Sequence, residues 1–238
     1  MMRENGVPMV QVRNFLLSLL LTNAVLALSA GAQTTGFLPE VVLYRNLRSD
    51  LRLEFQAKDT RENGDPTEAE VGPSLDLFLK PLLRLKRITL YDLDRAKARE
   101  LALSFGYRYV PTPGTPAVNR VILQAQPNLP IKGKLLLSDY SRGELNFSNG
   151  ALSWRYRNRL TVERALTIHS YHPIPYASSE FYYDSNYRKW SSTELSSGAL
   201  LPVGKHAQFD LYYEHENNTG KKPNQQVNAV GLVLNLYF

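Results

Sequence analysis

Apolar and polar residues alternate along most of the chain after residue 37, and this two-residue period restricts the fold more than any other feature. In segments of about ten residues the apolar side chains occupy every second position, for example Leu51, Leu53, Phe55 and Ala57. Residues that alternate in this way lie on opposite faces of a β-strand. Stretches rich in Pro, Gly, Asn and Asp separate the segments, as is usual for turns. The sequence therefore predicts an all-β fold.

The two faces of the predicted strands differ more than they do in an ordinary soluble β-sandwich. One face carries charged residues along nearly every strand, and the other carries large apolar residues that often end in an aromatic, as at Tyr107, Tyr109, Trp154 and Tyr156. A tilted strand of about 9–11 residues crosses the hydrocarbon core of a bilayer, and aromatic residues gather at its two interfaces. We therefore expect a transmembrane antiparallel up-and-down β-barrel. A secreted β-sandwich is the alternative.

The C-terminal strand favours the barrel. One uninterrupted apolar face ends in a terminal aromatic residue and consists of Val230, Leu232, Leu234, Leu236 and Phe238. This face resembles the terminal strand by which bacterial outer-membrane barrels are recognised for insertion. The resemblance implies contact with the barrel-assembly machinery during insertion, and an insertion signal in these five residues.

The N-terminal segment has the pattern of a secretory signal peptide. Arg3 and Arg13 precede an apolar run over residues 15–28, and Ala30, Gly31 and Ala32 follow it. A basic start, a short apolar core and small residues at the cleavage position define such signals, although a retained anchor helix is the alternative. We expect a signal peptide over residues 1–32, cleaved near Ala32, and a barrel over residues 33–238 in the cell outer membrane of a Gram-negative bacterium.

The number of strands is ambiguous. Eleven segments have strand character, but single-chain bacterial barrels close with an even number of strands. We favour about twelve strands, with residues 82–91 as the twelfth, and ten strands without residues 38–47 as the alternative. Pro73 and Asp139 fall on outward faces and predict a bulge or register slip at each position. The eleven segments lie near residues 38–47, 50–59, 69–80, 98–110, 117–127, 134–147, 151–165, 174–184, 191–202, 206–217 and 225–238.

If the polar faces point inwards, the lumen contains charges of both signs in nearly equal number. We expect a structural network of ion pairs, and as the sharper hypothesis a narrow, porin-like path for small charged solutes. Arg155, Arg157 and Arg159 follow one another on one strand and would attract anions if they were unpaired. The predicted basic residues are Arg52, Lys58, Arg108, Arg120, Arg142, Arg155, Arg157 and Arg159. The predicted acidic residues are Glu54, Glu70, Asp76, Glu100, Glu144, Glu163, Glu180, Glu194, Asp210 and Glu214.

Part of the chain, from Gly72 to Phe238, resembles an uncharacterised bacterial outer-membrane barrel family, domain-of-unknown-function family 2490. The resemblance rests on four stretches: residues 105–109 (FGYRY), 154–160 (WRYRNRL), 179–181 (SEF) and 210–213 (DLYY). Because that family has no assigned activity, the resemblance implies an outer-membrane location and a barrel fold, and no particular function.

A lipid-acting hydrolase is the alternative function. The stretch over residues 146–155 resembles the catalytic stretch of outer-membrane phospholipase A, with Ser148 at the nucleophile position. The positions of the general base and of its orienting residue hold Asn146 and Arg155, which cannot accept the hydroxyl proton or orient a base. His169 and His172 flank Ser170 without a poised carboxylate. We therefore expect a barrel that is not an enzyme.

We expect no metal and no cofactor. The acidic residues Asp59, Glu62, Asp65 and Glu68 do not have the spacing of an EF-hand. The chain has no cysteine and a formal net charge of only +6, with basic residues scattered among acidic ones. Nucleic acid is therefore not an expected partner. The expected partners are outer-membrane lipid and lipopolysaccharide.

Overall fold

The computed structural model describes residues 34–79, 93–131, 133, 135–220 and 224–238. These residues form eleven strands and one short 3-10 helix, Arg95–Ala98. No helix within these ranges is long and apolar enough to cross a membrane. The strands are β1 (Thr34–Asn46), β2 (Leu51–Glu62), β3 (Asp65–Leu79), β4 (Leu101–Thr112), β5 (Thr115–Ile131), β6 (Leu135–Ser148), β7 (Ala151–Arg164), β8 (Ile174–Asp184), β9 (Lys189–Val203), β10 (Ala207–Asn218) and β11 (Gln225–Tyr237).

The strands form a closed barrel in chain order, and β1 closes it by pairing with β11. Each consecutive pair is antiparallel, whereas β1 and β11 are parallel, with Thr34 opposite Val227 and Tyr44 opposite Tyr237. An odd number of alternating strands leaves the first and last strand pointing the same way, so the closing pair has to be parallel. The expectation of an even count was therefore wrong, because it assumed antiparallel closure.

The described chain forms neither the twelve-stranded nor the ten-stranded barrel. The ten-strand alternative is wrong because β1 is part of the ring. Residues 82–91, expected as a twelfth strand, lie outside the described residues, and the ring closes without them because β3 pairs directly with β4, with Leu79 opposite Leu101. The predicted signal peptide, residues 1–32, also lies outside the described residues.

The topology gives the barrel two distinct ends. We call the end that contains Phe238 the lower end; the connections β1–β2, β3–β4, β5–β6, β7–β8 and β9–β10 lie there. The upper end contains the start of β1 and the turns of the other hairpins. Four of those turns have a residue with positive φ where the chain reverses: Asn63–Gly64, Gly114 and Asn149–Gly150, and Arg188 in the β8–β9 turn. Positive φ favours Gly and Asn, which explains why the sequence marks the first three of these turns so clearly.

The predicted register slips at Pro73 and Asp139 were wrong. The register shifts instead near Thr60, Val110 and Tyr182. Pro73 keeps the register, and the Arg108 side chain bonds to the β3 backbone beside it, with Nη1 donating to the Pro73 carbonyl at 2.9 Å. Asp139 stays opposite Leu160 and accepts a hydrogen bond from Asn158. Both irregular residues are therefore accommodated by side-chain hydrogen bonds and not by an extra residue.

The outer and inner faces have opposite character. Large apolar side chains are exposed on the outside of all eleven strands, from Phe37 on β1 to Leu232 on β11, with Leu123 and Phe105 both 58% exposed. The inner face carries most of the buried charged residues, including Arg52, Asp76 and Glu144. The barrel is thus apolar outside and polar inside, the reverse of a soluble protein.

Candidate functional site: the charged lumen

Within the described residues, cavities of about 680 Å³ and about 220 Å³ lie in the lumen. The larger one is lined by residues from near the upper turns, such as Glu62 and Asn218, down to Lys97 and Tyr237 near the lower end. Eleven acidic and seven basic side chains line this larger cavity, an excess of four acidic residues. The lumen is therefore neither charge-balanced nor completely filled.

Strands β2 to β8 form what we call the filled sector, because long side chains of opposite charge occupy its interior. Its centre is Glu144 on β6, whose side chain is fully buried. The Glu144 carboxylate lies 2.9 Å from Arg142 Nε, 3.3 Å from Arg157 Nη1 and 3.6 Å from Arg120 Nε. Since three guanidinium groups share one carboxylate, its charge is needed to keep them together.

The three consecutive arginines of β7 are all paired. Arg155 lies 3.2 Å from Asp184, and Arg157 and Arg159 lie 2.7 Å and 2.6 Å from the two oxygens of Glu180. These arginines therefore do not form an unpaired, anion-attracting ladder. Their carboxylate partners sit on the neighbouring strand β8, which a pattern within β7 alone does not reveal.

The remaining predicted arginines also have partners. Arg108 binds Glu54 at 2.7 Å, Arg120 pairs with Glu70, and Arg52 binds Asp76 at 2.7 Å. Seven of the eight predicted basic residues thus form ion pairs in the lumen. Lys58, the eighth, lines the larger cavity between Glu40 and Glu70 in the strand register.

Strands β9, β10, β11 and β1 form what we call the open sector. Within the described residues, these strands contribute no cationic side chain to the lining of either cavity. They contribute five carboxylates: Glu40, Glu194, Asp210, Glu214 and Glu216. Glu194 lies in the register between Glu180 on β8 and Glu216 on β10, so three carboxylates stand in one row.

Small residues leave space beside these carboxylates. Ser191, Ser192 and Ser196 on β9 line the larger cavity, and Gly231 on β11 underlies the ring of Tyr212. A Cβ atom on Gly231 would overlap that ring, and a Cβ on Gly198 would meet Tyr212 Cβ at 2.6 Å. The two glycines therefore let Tyr212 lie flat against the wall, which keeps the open sector free.

Residues 93–100, just before β4, narrow the lower end of the lumen. In what we call the lower segment, residues 93–100, the Asp94 carboxylate caps the 3-10 helix and lies 2.5 Å from Arg52 Nη1. Lys97 Nζ lies 2.6 Å from Glu163 on β7, and Ala96 packs against Phe78 and Ala102. Burial alone would raise the pKa of Asp94, but the nearby charges of Arg52 and Lys97 outweigh it and hold that pKa below its usual value.

Most of the predicted acidic residues of the lumen lie on the cavity walls, together with several acidic residues that were not predicted. Glu163, Glu194, Asp210 and Glu214 line the larger cavity, and Glu180 lines the smaller one. Glu100 precedes β4 and does not line either cavity. Glu40, Glu68, Asp184 and Glu216 also line the larger cavity and were missed, although each keeps the inward parity of its strand. Only Glu68 lies outside the predicted strand bounds; parity within those bounds would have found the other three.

The alternative catalytic residues are not assembled into a nucleophile–base pair within the described chain. Ser148 Oγ hydrogen-bonds to the carbonyls of Pro116 and Ala117 at 3.4 Å and 3.2 Å. Asn146 points into the lumen and accepts from Arg120 Nε at 2.8 Å. His169 adopts a positive φ in the β7–β8 connection at the lower end. No group of three or more potential metal ligands occurs in the part of the chain that the structure describes.

The predicted insertion signal lies at the β1–β11 seam. Val230 and Leu232 are exposed on the outer face, and Leu234 and Leu236 share their parity. The Phe238 amide donates to the Tyr44 carbonyl at 2.8 Å, and the Asn46 amide donates to the Phe238 carbonyl at 3.1 Å. The last residue of the chain is thus hydrogen-bonded to the end of the first strand.

Comparison with known proteins identifies no relative by sequence. No family model matches the chain, and no curated protein sequence matches it; the resemblance to family 2490 stays a prediction. One solved structure that matches is described as a bacterial polysaccharide outer membrane secretin, with 8% identity and a TM-score of 0.47. The match covers 76% of this chain and 62% of the secretin chain, so this chain spans less than two thirds of that protein. Similarity at this level assigns neither family nor function.

Proposed function

We propose that this chain is an integral outer-membrane β-barrel that admits small solutes to a narrow charged lumen and prefers cations to anions. The single observation that carries the proposal is the inverted polarity of the barrel. Exposed apolar side chains occur on every strand, while charged groups are buried inside. A continuous apolar exterior of this kind is stable when lipid covers it and aggregates in water.

Aromatic side chains on the exterior support the membrane location. Trp154 stacks on Tyr183 at 5.4 Å between ring centroids, and Trp190 meets Tyr183 and Tyr156 edge to face at 5.8 Å and 6.3 Å. Trp154, Tyr183 and Trp190 lie near the upper ends of β7, β8 and β9, and Tyr156 lies one outward position below Trp154. Trp and Tyr rings prefer the boundary between hydrocarbon and headgroups, so this cluster fits one interface, in contact with lipid and lipopolysaccharide.

The distribution of lumen charges supports a preference for cations. The lumen arginines are neutralised by carboxylates within 3.6 Å, whereas Glu194 and Glu214 have no ion pair or hydrogen bond to any described residue. A lumen wall with excess carboxylates raises the local concentration of cations and repels anions. Passage of anions along Arg155, Arg157 and Arg159 is not favoured, because each of these residues is already paired.

The position of the lower segment supports the proposal that the path for solutes is narrow. It lines both cavities through Asp94 and is held by ion pairs to β2 and β7. A small solute admitted from the upper end would meet this segment before it could leave at the lower end. We therefore propose low conductance and a role without catalysis; the hydrolase alternative gains no support from the surroundings of Ser148.

Reconstitution of the purified mature chain tests the proposal. We expect a detergent-solubilised barrel whose gel mobility changes only on boiling, and small channels in planar bilayers that favour potassium over chloride in a tenfold salt gradient. A chain that stays monodisperse in detergent-free buffer would refute the membrane location. Anion preference, or hydrolysis of phospholipid by the wild-type chain but not by Ser148→Ala, would refute the assigned role.

A further inference from the structure

A polar notch interrupts the apolar exterior in the middle of β6 and β7. We define the polar notch as Asp139, Ser141, Tyr156 and Asn158, four side chains that share the outward parity of their strands. Asn158 Nδ2 donates to Asp139 Oδ1 at 2.6 Å and to Ser141 Oγ at 3.2 Å. The Ser141 and Tyr156 hydroxyl oxygens are 3.2 Å apart.

Apolar residues surround the polar notch on both sides along the barrel axis. Leu145 and Trp154 are exposed above it, Val162 is exposed below it, and Leu160 is exposed beside it, opposite Asp139. The notch therefore lies within the apolar belt and not at its edge. A carboxylate at this depth is costly when it faces lipid, and intramembrane ionisable groups usually contact protein.

The hydrogen bonds inside the polar notch do not use all of its donors and acceptors. The amide of Asn158 uses both of its N–H groups within the notch, so its Oδ1 is free to accept. Asp139 Oδ2 has no hydrogen-bond donor among the described residues. Two hydroxyl protons belong to Ser141 and Tyr156, and only one can lie between their oxygens. The notch therefore offers one spare donor and two spare acceptors.

We infer that the polar notch is the contact between two copies of this chain in the membrane. A two-fold axis along the membrane normal brings the two notches to the same depth. The spare hydroxyl proton of one copy then faces the spare acceptors of the other: Asn158 Oδ1, which is level with Ser141 in the strand register, and Asp139 Oδ2, one outward position below it. This self-complementarity favours a second copy over a partner that would supply only donors. The inference rests on the proposed membrane location.

Small residues beside the polar notch permit close approach. Ala125 lies opposite Ser141 on the outer face, and Leu123 lies opposite Gly143. A Cβ atom added to Gly143 would meet only one atom within 4 Å, the Leu123 carbonyl oxygen at 4.0 Å. Small residues at membrane interfaces allow two backbones to pack closely and bring short polar side chains within hydrogen-bond distance. Leu123, 58% exposed, stands at the rim of this contact.

Single-cysteine crosslinking in lipid vesicles tests the inference, because the natural chain has no cysteine. We expect Ser141→Cys to form a disulfide-linked dimer on oxidation, at least tenfold more than Leu232→Cys, whose exposed side chain lies on the opposite part of the ring. Equal, weak crosslinking of the two variants, in barrels that still show heat-modifiable mobility, would overturn the inference and leave the proposed function intact.

A second variant separates the dimer contact from a lipid-facing defect. We expect Asp139→Leu to convert dimers to monomers in native mass spectra while the heat-modifiable mobility of the barrel is kept. The matched control is Asn228→Leu, which removes an exterior side chain bonded to Tyr213 Oη at 2.6 Å on the other side of the barrel, and should leave the dimer. If the wild type is a monomer and the Asp139→Leu variant resists heat better than the wild type, the notch faces lipid and the inference is overturned. In cell membranes, the Ser141→Cys variant could also crosslink to a different protein and not to a second copy of this chain. That result would likewise overturn the inference.

Discussion

The filled sector and the open sector belong to one sheet, yet their interiors differ in both size and charge. In the filled sector, guanidinium groups and carboxylates meet at 2.6–3.6 Å, and Glu144 is completely enclosed. In the open sector, carboxylates stand beside Ser and Gly. The larger cavity borders these carboxylates and also the paired arginines of β5, β6 and β7. The backbone geometry is common to both, so side-chain length and charge alone decide where the lumen is occupied.

This difference separates two roles for acidic residues. A carboxylate enclosed by several arginines contributes to stability, because its removal leaves buried cations without a counter-charge. A carboxylate beside a water-sized space contributes little to stability and sets the local potential. The same residue type on neighbouring strands therefore predicts opposite results on mutation.

The largest expected effect is on the filled sector. Glu144→Gln leaves Arg120, Arg142 and Arg157 without their shared charge, and we expect a loss of about 3–5 kcal/mol in unfolding free energy. Urea unfolding in lipid vesicles measures it, with Glu216→Gln as the matched control in the open sector. Equal stability of the two variants would remove the distinction between the sectors.

A smaller loss is expected when the free space of the open sector is filled. Gly231→Ala forces the Tyr212 ring away from the wall, which should cost about 1–3 kcal/mol and lower single-channel conductance. The double variant Gly231→Ala/Tyr212→Ala should recover the conductance. Gly143→Ala, whose Cβ meets open space, is the control. Unchanged conductance in Gly231→Ala would mean that Tyr212 does not border the solute path.

Neutralising the open sector should change selectivity and hardly affect stability. In the triple variant Glu194→Gln/Glu214→Gln/Glu216→Gln, we expect unfolding free energy within about 1 kcal/mol of the wild type. The reversal potential in a tenfold potassium chloride gradient should move towards zero, because the excess negative charge is lost. A preference for potassium that persists in this variant would locate the selectivity elsewhere.

The smallest effect is expected at acid pH, at the lower segment. Because the pKa of Asp94 is lowered in the folded barrel, its contribution to stability is complete above the ordinary Asp value of about 4 and is lost as pH falls through the lowered value. Asp94 faces Arg52 on β2, which also binds Asp76, while Lys97 binds Glu163 on β7. We expect conductance to rise below about pH 4 and to be constant between pH 5 and 8. Asp94→Asn should show the higher conductance at pH 7; a rise centred near pH 6 would implicate a different group.

Much of the fold was predictable because strand parity is local. The alternation around Leu101–Tyr109 and the turns at Asn63–Gly64 and Asn149–Gly150 mark strands and reversals without any tertiary information. The strand count was not predictable in the same way, because the choice among ten, eleven and twelve depends on whether β1 meets β11 in parallel. Long-range pairing of the two ends of a chain leaves no periodic signal in either strand.

The candidate site also has features that follow from local spacing and features that depend on long-range strand pairing. That Arg155, Arg157 and Arg159 share one face follows from their spacing, and so does the apolar face that ends at Phe238. Which carboxylate each arginine meets follows from the register between strands. So does the finding that Glu194 and Glu214 meet no arginine within the described residues. The sequence by itself determined a strand-rich chain with one charged and one apolar face. Only the tertiary structure decided closure with eleven strands and the division of the lumen, because both depend on neighbours that are adjacent in the sheet and distant in the chain.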